Sequence, residues 1–221
     1  MKKSKAETAK TRQRIVEVAS EAIRNQGIEA TGVAEIMAAA GLTHGGFYRH
    51  FGSKEELVAE ALALSRKDYL AGTVQAAEEG ADALMKHLQE YVTPAYRDDI
   101  GGGCPLAANG SEIVRTDATT RHNATEALRL WFDKTAQYMR AQDDASKNAM
   151  AMSVVTNMIG AVTMARIVDD PVLSDQILEA ARKRIVDAFN LPAAKPRDES
   201  PMPPTKRAAK PQEKRALAKR Q

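Results

Sequence analysis

The chain has 221 residues, with 32 Lys+Arg against 29 Asp+Glu for a formal charge of +3, and it is 43% hydrophobic but only 5% aromatic. That length suits one or two domains, and the few aromatic residues suit close-packed helices better than packed sheets. A single cysteine, Cys104, excludes an intrachain disulfide and a Cys-Cys metal framework and fits a reducing compartment. The start Met1-Lys2-Lys3-Ser4-Lys5 leads into polar residues, not an apolar run, so a cytoplasmic protein without a secretory leader is expected. Residues 192–221 hold nine Lys/Arg and three Asp/Glu, residues 1–191 hold 23 against 26, and residues 1–14 alone hold six Lys/Arg and one Glu. Both ends are basic around an acidic middle, so one end of the folded part should favour polyanions.

Over residues 11–26, Ile15, Val18, Ala19, Ala22 and Ile23 form one stripe of an amphipathic helix. Gly27 is its expected stop, and residues 1–10 are left as a basic, flexible arm. Residues 33–40 make a shorter helix burying Val33, Ile36, Met37 and Ala40, ended by Gly41. Thr43 is placed to cap a third helix over residues 44–50, anchored by Phe47 and Phe51. Ser53 and Glu56 read as a capping box that opens a fourth helix through Leu57, Ala61 and Leu64. Residues 11–71 are thus expected to form one small domain.

Beyond Gly72, helices are expected over residues 81–92, from Cys104-Pro105 onward, over 118–141, from Asp143 or Asp144 to Val168, and over 174–189. Pro94, the 98–103 loop and Asp170-Pro171 separate them. No segment alternates long enough to make a strand, so the fold class is all-α, with residues 72–191 as a second helical domain. Residues 192–221, with six prolines and few large apolar side chains, read as a disordered basic tail, either a plain solvated end or a non-specific DNA contact.

Two short helices joined by Gly41-Leu42-Thr43 have the spacing of a helix-turn-helix, although an ordinary helical hairpin has it too. The outward residues decide between them. His44, Tyr48, Arg49, His50 and Lys54 can bond phosphates or base edges, and Gly45 and Gly46 let backbone approach DNA.

The run Gly41-Leu42-Thr43-His44-Gly45-Gly46-Phe47-Tyr48-Arg49-His50-Phe51-Gly52-Ser53-Lys54-Glu55-Glu56-Leu57, with residues 14–19 and 27–31 before it, closely resembles the DNA-binding signature of TetR-type bacterial transcriptional regulators. The resemblance implies an N-terminal helix-turn-helix reader and a C-terminal domain that dimerises and senses a ligand. It places His44, Gly45, Gly46 and Tyr48 at or near bases and Arg49, His50 and Lys54 on phosphates, with Thr43 also among the DNA-binding residues. Met37 and Ala34 depart from the family pattern, at the helix crossing and at a position where a polar residue often reaches DNA.

Residues 148–165 carry no charge. They are too polar for a confident membrane span and small enough for close helix packing, so a homodimer is expected through Met152, Thr156, Ile159 and Thr163 together with Ile177, Ala181 and Ile185. Tyr91, Tyr96, Cys104, Leu128, Trp131, Phe132, Thr135 and Met139 are the candidate lining of a pocket for a small apolar or aromatic effector. The same residue types at helical spacing also serve as plain core.

Cys104 at a helix start offers an alternative, a thiol-based redox or electrophile sensor. An architectural DNA binder working through its basic ends is a further one. The histidines and paired aspartates form no metal set or catalytic constellation, so neither a cofactor nor enzymatic turnover is expected. The sequence therefore leads one to expect a ligand-responsive, dimeric repressor of double-stranded operator DNA, with no membrane partner.

Overall fold

The computed structural model describes residues 4–190, the side chain of Asp68 apart, and over that span it contains helices and no strand. In chain order these are α1 (Lys5–Gln26), α2 (Val33–Ala39), a 3-10 helix (His44–Arg49), α3 (Lys54–Glu79) and α4 (Ala81–Tyr91). They are followed by α5 (Pro94–Asp98), α6 (Pro105–Ile113), α7 (Ala118–Ala136), α8 (Asp144–Ile167) and α9 (Pro171–Asn190). The tail expected over 192–221 lies outside the described residues, as do residues 1–3 of the expected arm.

The rest of that arm is helix. Ser4 Oγ accepts from the Glu7 N–H at 3.1 Å while Glu7 Oε2 accepts from the Ser4 N–H at 2.7 Å, a reciprocal capping box that starts α1 before the apolar stripe begins. Nor does the chain break at residue 72. Helix α3 runs through Gly72, whose hydrogen faces His87: a Cβ there would lie 3.0 Å from His87 Cε1. This glycine marks a close approach between α3 and α4, and it neither bends nor ends the helix.

Two hydrophobic cores therefore share α3 as a spine. Its first half gives Leu57, Ala61 and Leu62 to a core with Ile15, Ile23, Ile36, Met37, Phe47 and Phe51. Its second half gives Leu70, Ala76 and Ala77 to a larger core with Leu84, Leu88, Tyr91, Trp131, Val155, Met158 and Ile185. Helix α8 is long and apolar enough to cross a membrane by length and composition alone, yet Ala151, Val154, Val155, Met158 and Val162 are buried in the larger core. Helix α7 stops five residues short of its expected end. The N–H groups of Tyr138 and Met139 turn back onto Thr135 and Ala136 at 3.2 and 3.1 Å, which buries Met139 and brings the Tyr138 hydroxyl to the Ala77 carbonyl.

Candidate functional site

Gly41 ends α2 at φ 71°, a left-handed geometry that costs a residue with a Cβ roughly 1–2 kcal/mol. The Leu42 N–H then donates to the Met37 carbonyl at 2.8 Å, and the next segment starts at a fixed angle. That segment is a 3-10 helix, as two successive glycines of low helix propensity favour. Thr43 precedes it but makes no side-chain cap, contrary to expectation; its carbonyl accepts from the Gly46 N–H at 2.9 Å. The second capping box is displaced by one residue. Ser53 Oγ accepts from the Glu56 N–H at 3.2 Å, whereas the Glu56 carboxylate accepts from Gly52 at 2.7 Å.

Phe47 and Phe51 are buried and stacked, with ring centroids 5.6 Å apart. They turn Thr43, His44, Gly45, Tyr48 and Arg49 outward, and Tyr48 is 71% exposed. Met37 fills the helix crossing, with its Cε 3.6 Å from where a Gly46 Cβ would stand, while Ala34 is exposed and short. No Asp or Glu occurs between Glu35 and Glu55. The outer face is thus a patch of hydrogen-bonding groups without local negative charge, suited to phosphates and base edges.

Gly46, His50 and Lys54 are half-buried. The structure does not present Lys54 on this patch as it stands, since Nζ donates to the Glu29 carbonyl at 3.3 Å. Charge counting also misjudges Arg12. Its guanidinium binds Glu60 and, at 2.8 Å, Glu56, donates from Nε to the His50 carbonyl at 3.0 Å, and lies 4.3 Å over the Phe51 ring. The hydrogen bond to Glu60 in particular pushes its pKa up. Arg12 is a strut between α1 and α3. Arg14, which the spacing does not single out, is exposed, with Nη2 3.5 Å from the Cβ position of Gly41.

Helix α6 joins this reader to the second core. Asn109 Nδ2 donates to the Ile23 carbonyl at 2.9 Å. The Glu112 carboxylate accepts from the N–H groups of Ile28 at 3.0 Å and Glu29 at 3.3 Å, and from Asn109 at 3.2 Å. Burial opposes the charge on Glu112, but those bonds outweigh it and hold the carboxyl below its ordinary value. Gly27 (φ 96°) admits the carboxylate, because a Cβ there would lie 3.0 Å from both oxygens. Arg24 adds a second tie, bonding Ser20, Ser65 and the Gly101 carbonyl.

The opposite side of α6 faces an apolar cavity of about 40 Å³ between α3, α6 and α7, room for water molecules and little more. Of the expected pocket residues, Cys104 and Trp131 line it. Tyr91 and Tyr96 do not, Tyr91 lying against Trp131 at 5.5 Å and Tyr96 against Tyr91 at 4.5 Å. Thr135 and Met139 are plain buried core, and Leu128 and Phe132 are half-buried away from the cavity. The missed lining comes from α3: Leu62, Arg66, Tyr69 and Leu70. A helix that is apolar on several sides carries no single stripe from which a cavity wall could be read.

Cys104 is 3% exposed. Burial pushes its thiol pKa up, over the opposing pull of the Tyr91 hydroxyl and the Leu106 and Ala107 amides, so the reactive thiolate is disfavoured. His87 pairs with Thr73 Oγ1 at 3.1 Å, and the described residues contain no cluster able to hold a metal.

On the dimer candidates, Met152 and Thr156 are exposed, and Ile159 and Ile177 half-buried. Thr163 turns inward to the Ala107 carbonyl at 3.2 Å. Ala181 and Ile185 are buried in the chain's own core, so they are not available to a partner. Each helix has two apolar sides, and periodicity picks the inner one on α9. The outward apolar residues are Met164, Ile167 at 68% exposure, Val172 and Leu173, clustered where α8 turns into α9.

Two family models match the chain: bacterial regulatory proteins, tetR family, over residues 15–61, and tetracyclin repressor-like, C-terminal domain, over residues 80–181. It is 27% identical over 164 residues to an uncharacterised HTH-type transcriptional regulator of Mycobacterium tuberculosis (strain CDC 1551 / Oshkosh), covering 71% of this chain and 84% of that protein. Against the HTH-type transcriptional regulator AcrR of Shigella flexneri it is 40% identical over 67 residues, 30% of this chain and 31% of that one. Among solved structures, the reduced form of E. coli NemR superposes with TM-score 0.71 at 18% identity, covering 84% of this chain and all of that one. A TetR regulator from Chloroflexus aurantiacus gives TM-score 0.69 at 24% identity, covering 85% and 98%. The structures share the fold, and the two models reach from the reader core built on Ile15 through Ala61 to α9; the chain belongs to the TetR family of bacterial transcriptional regulators.

Proposed function

We propose that this chain is a homodimeric repressor that holds a palindromic operator through the 3-10 helices of two protomers and leaves it when a small apolar or aromatic molecule enters the cavity. One observation carries the ligand response: α6 presents Leu106 and Ile113 to the cavity and Asn109 and Glu112 to the reader. A molecule too large for about 40 Å³ must displace α6, α3 or α7. Displacing α6 moves the anchor of the α1–α2 turn, so the ligand favours the conformation in which the reader is misplaced, by the difference in its affinity for the two states. Dimerisation through the outward face of α8 and α9 is supported by Met152, Met164, Ile167, Val172 and Leu173. A six-residue reader contacts few base pairs, and a two-fold axis doubles them.

The test is footprinting of the DNA upstream of the protein's own gene, with the protein:DNA ratio measured on the same fragment. Two symmetric protected half-sites at two chains per site are expected. Protection of one half-site by one chain would refute the dimeric reading.

A further inference from the structure

The cavity has an unusual combination of walls. Its lining is dominated by Leu62, Leu70, Leu106 and Ile113, and no carboxylate borders it. Two of its residues nonetheless hold buried polar atoms that no strong hydrogen bond satisfies, Trp131 Nε1 and Tyr69 Oη, the latter with only the Thr73 hydroxyl near it. The Thr73 hydroxyl next to Tyr69 is engaged by His87 at 3.1 Å. An unpaired buried polar group is costly, and an indole N–H can only donate. Burial also keeps the Tyr69 phenol protonated, so it too can donate at any physiological pH. Arg66 is the cation at the cavity; its guanidinium bonds the Asn123 carbonyl, and no described carboxylate pairs with it.

We infer that the cavity, widened as its helices move apart, takes a small aromatic molecule that carries a hydrogen-bond-accepting oxygen and no positive charge, its oxygen receiving the Trp131 indole N–H and the Tyr69 hydroxyl. The inference rests on the effector reading of this cavity. The apolar walls hold the ring, the two donors fix its orientation, and Arg66, without a neighbouring carboxylate, repels an organic cation. An acceptor oxygen satisfies groups that a hydrocarbon of the same shape leaves unpaired, which makes the oxygen the source of selectivity.

The chain has one tryptophan, so a ¹⁵N-labelled sample shows a single indole N–H resonance, and that resonance reports the cavity directly. The full chain is titrated with acetophenone, with α-methylstyrene, in which CH2 replaces the carbonyl oxygen, and with 1-phenylethylammonium. Acetophenone is expected to shift the indole proton downfield and to bind at least about fivefold tighter than α-methylstyrene, with the cation weakest of the three. Tyr69→Phe should narrow the preference for acetophenone and leave α-methylstyrene unchanged; the comparison of probes on the native chain stands without that variant. Equal binding of acetophenone and α-methylstyrene, or tightest binding of the cation, overturns the ligand class while leaving the cavity as an effector site. No indole shift with any probe overturns both. Operator binding by the unliganded chain, measured on the same sample, reports the regulator reading independently.

Discussion

Phe47 and Tyr48 are adjacent, and their environments are opposite: one ring is sealed against Phe51, the other stands in solvent. Their substitutions should separate accordingly. Phe47→Ala should cost about 3–5 kcal/mol of stability in a urea melt. Tyr48→Ala should leave the melt unchanged and weaken operator binding by roughly tenfold or more, a loss on the scale of one good base contact. This division is legible in the sequence because a spacing of four puts Phe47 and Phe51 on one side and leaves His44, Tyr48 and Arg49 on the other. The roles of Arg12 and Lys54 are not legible there. Nothing local tells a cation destined for phosphate from one neutralised by Glu56 and Glu60 or held by the Glu29 carbonyl, since those partners come from distant positions in the chain.

Among the elements, α6 ties the reader to the cavity, and its role comes from one helix having two occupied sides. Glu112→Ala should keep the fold but reduce the effector's influence, so that the ratio of operator affinities with and without effector falls toward one. The tie is also pH-dependent. Because the folded carboxyl is held below its ordinary value, its contribution is complete above the unfolded glutamate pKa of about 4.3 and is lost as pH falls through the lower folded value. Native chain and Glu112→Gln should therefore differ in stability by about 1 kcal/mol at neutral pH and converge below about pH 4; a constant difference across that range would assign the effect to packing. Most of the helices are readable from apolar periodicity and caps; α5 is not, because Pro94 reads as a break and is instead the first residue of a short helix capped by Thr93. What sequence could not show was α3 as an unbroken spine, because Gly72 looks like punctuation until His87 is seen against it. The cavity wall formed by Leu62, Tyr69 and Leu70 is not legible either, because α3 is apolar on several sides, whereas Trp131 lies on a cleaner stripe.

For the whole molecule, the claims are two-fold assembly and sequence-specific DNA binding. The outward cluster at the α8–α9 turn should be needed for assembly. Ile167→Lys with Leu173→Glu places charges where a partner would bury apolar surface, so light scattering should find twice the chain mass of 24.0 kDa for the native protein and 24.0 kDa for the variant. Of this proposed face only Met164 lies within the uncharged stretch 148–165; Ile167, Val172 and Leu173 lie beyond it. Ala181 and Ile185 belong to the same periodic pattern as Ile177, and only packing shows that the chain buries them in its own core. The most direct test of the central claim is binding of the purified chain to its own upstream DNA and to a scrambled duplex across a salt series, with Tyr48→Ala in parallel. The native chain should prefer its own sequence by about a thousandfold or more, and Tyr48→Ala should remove most of this preference. Equal, salt-sensitive binding to both duplexes, unchanged by the substitution, would contradict that claim and assign the affinity to basic charge alone.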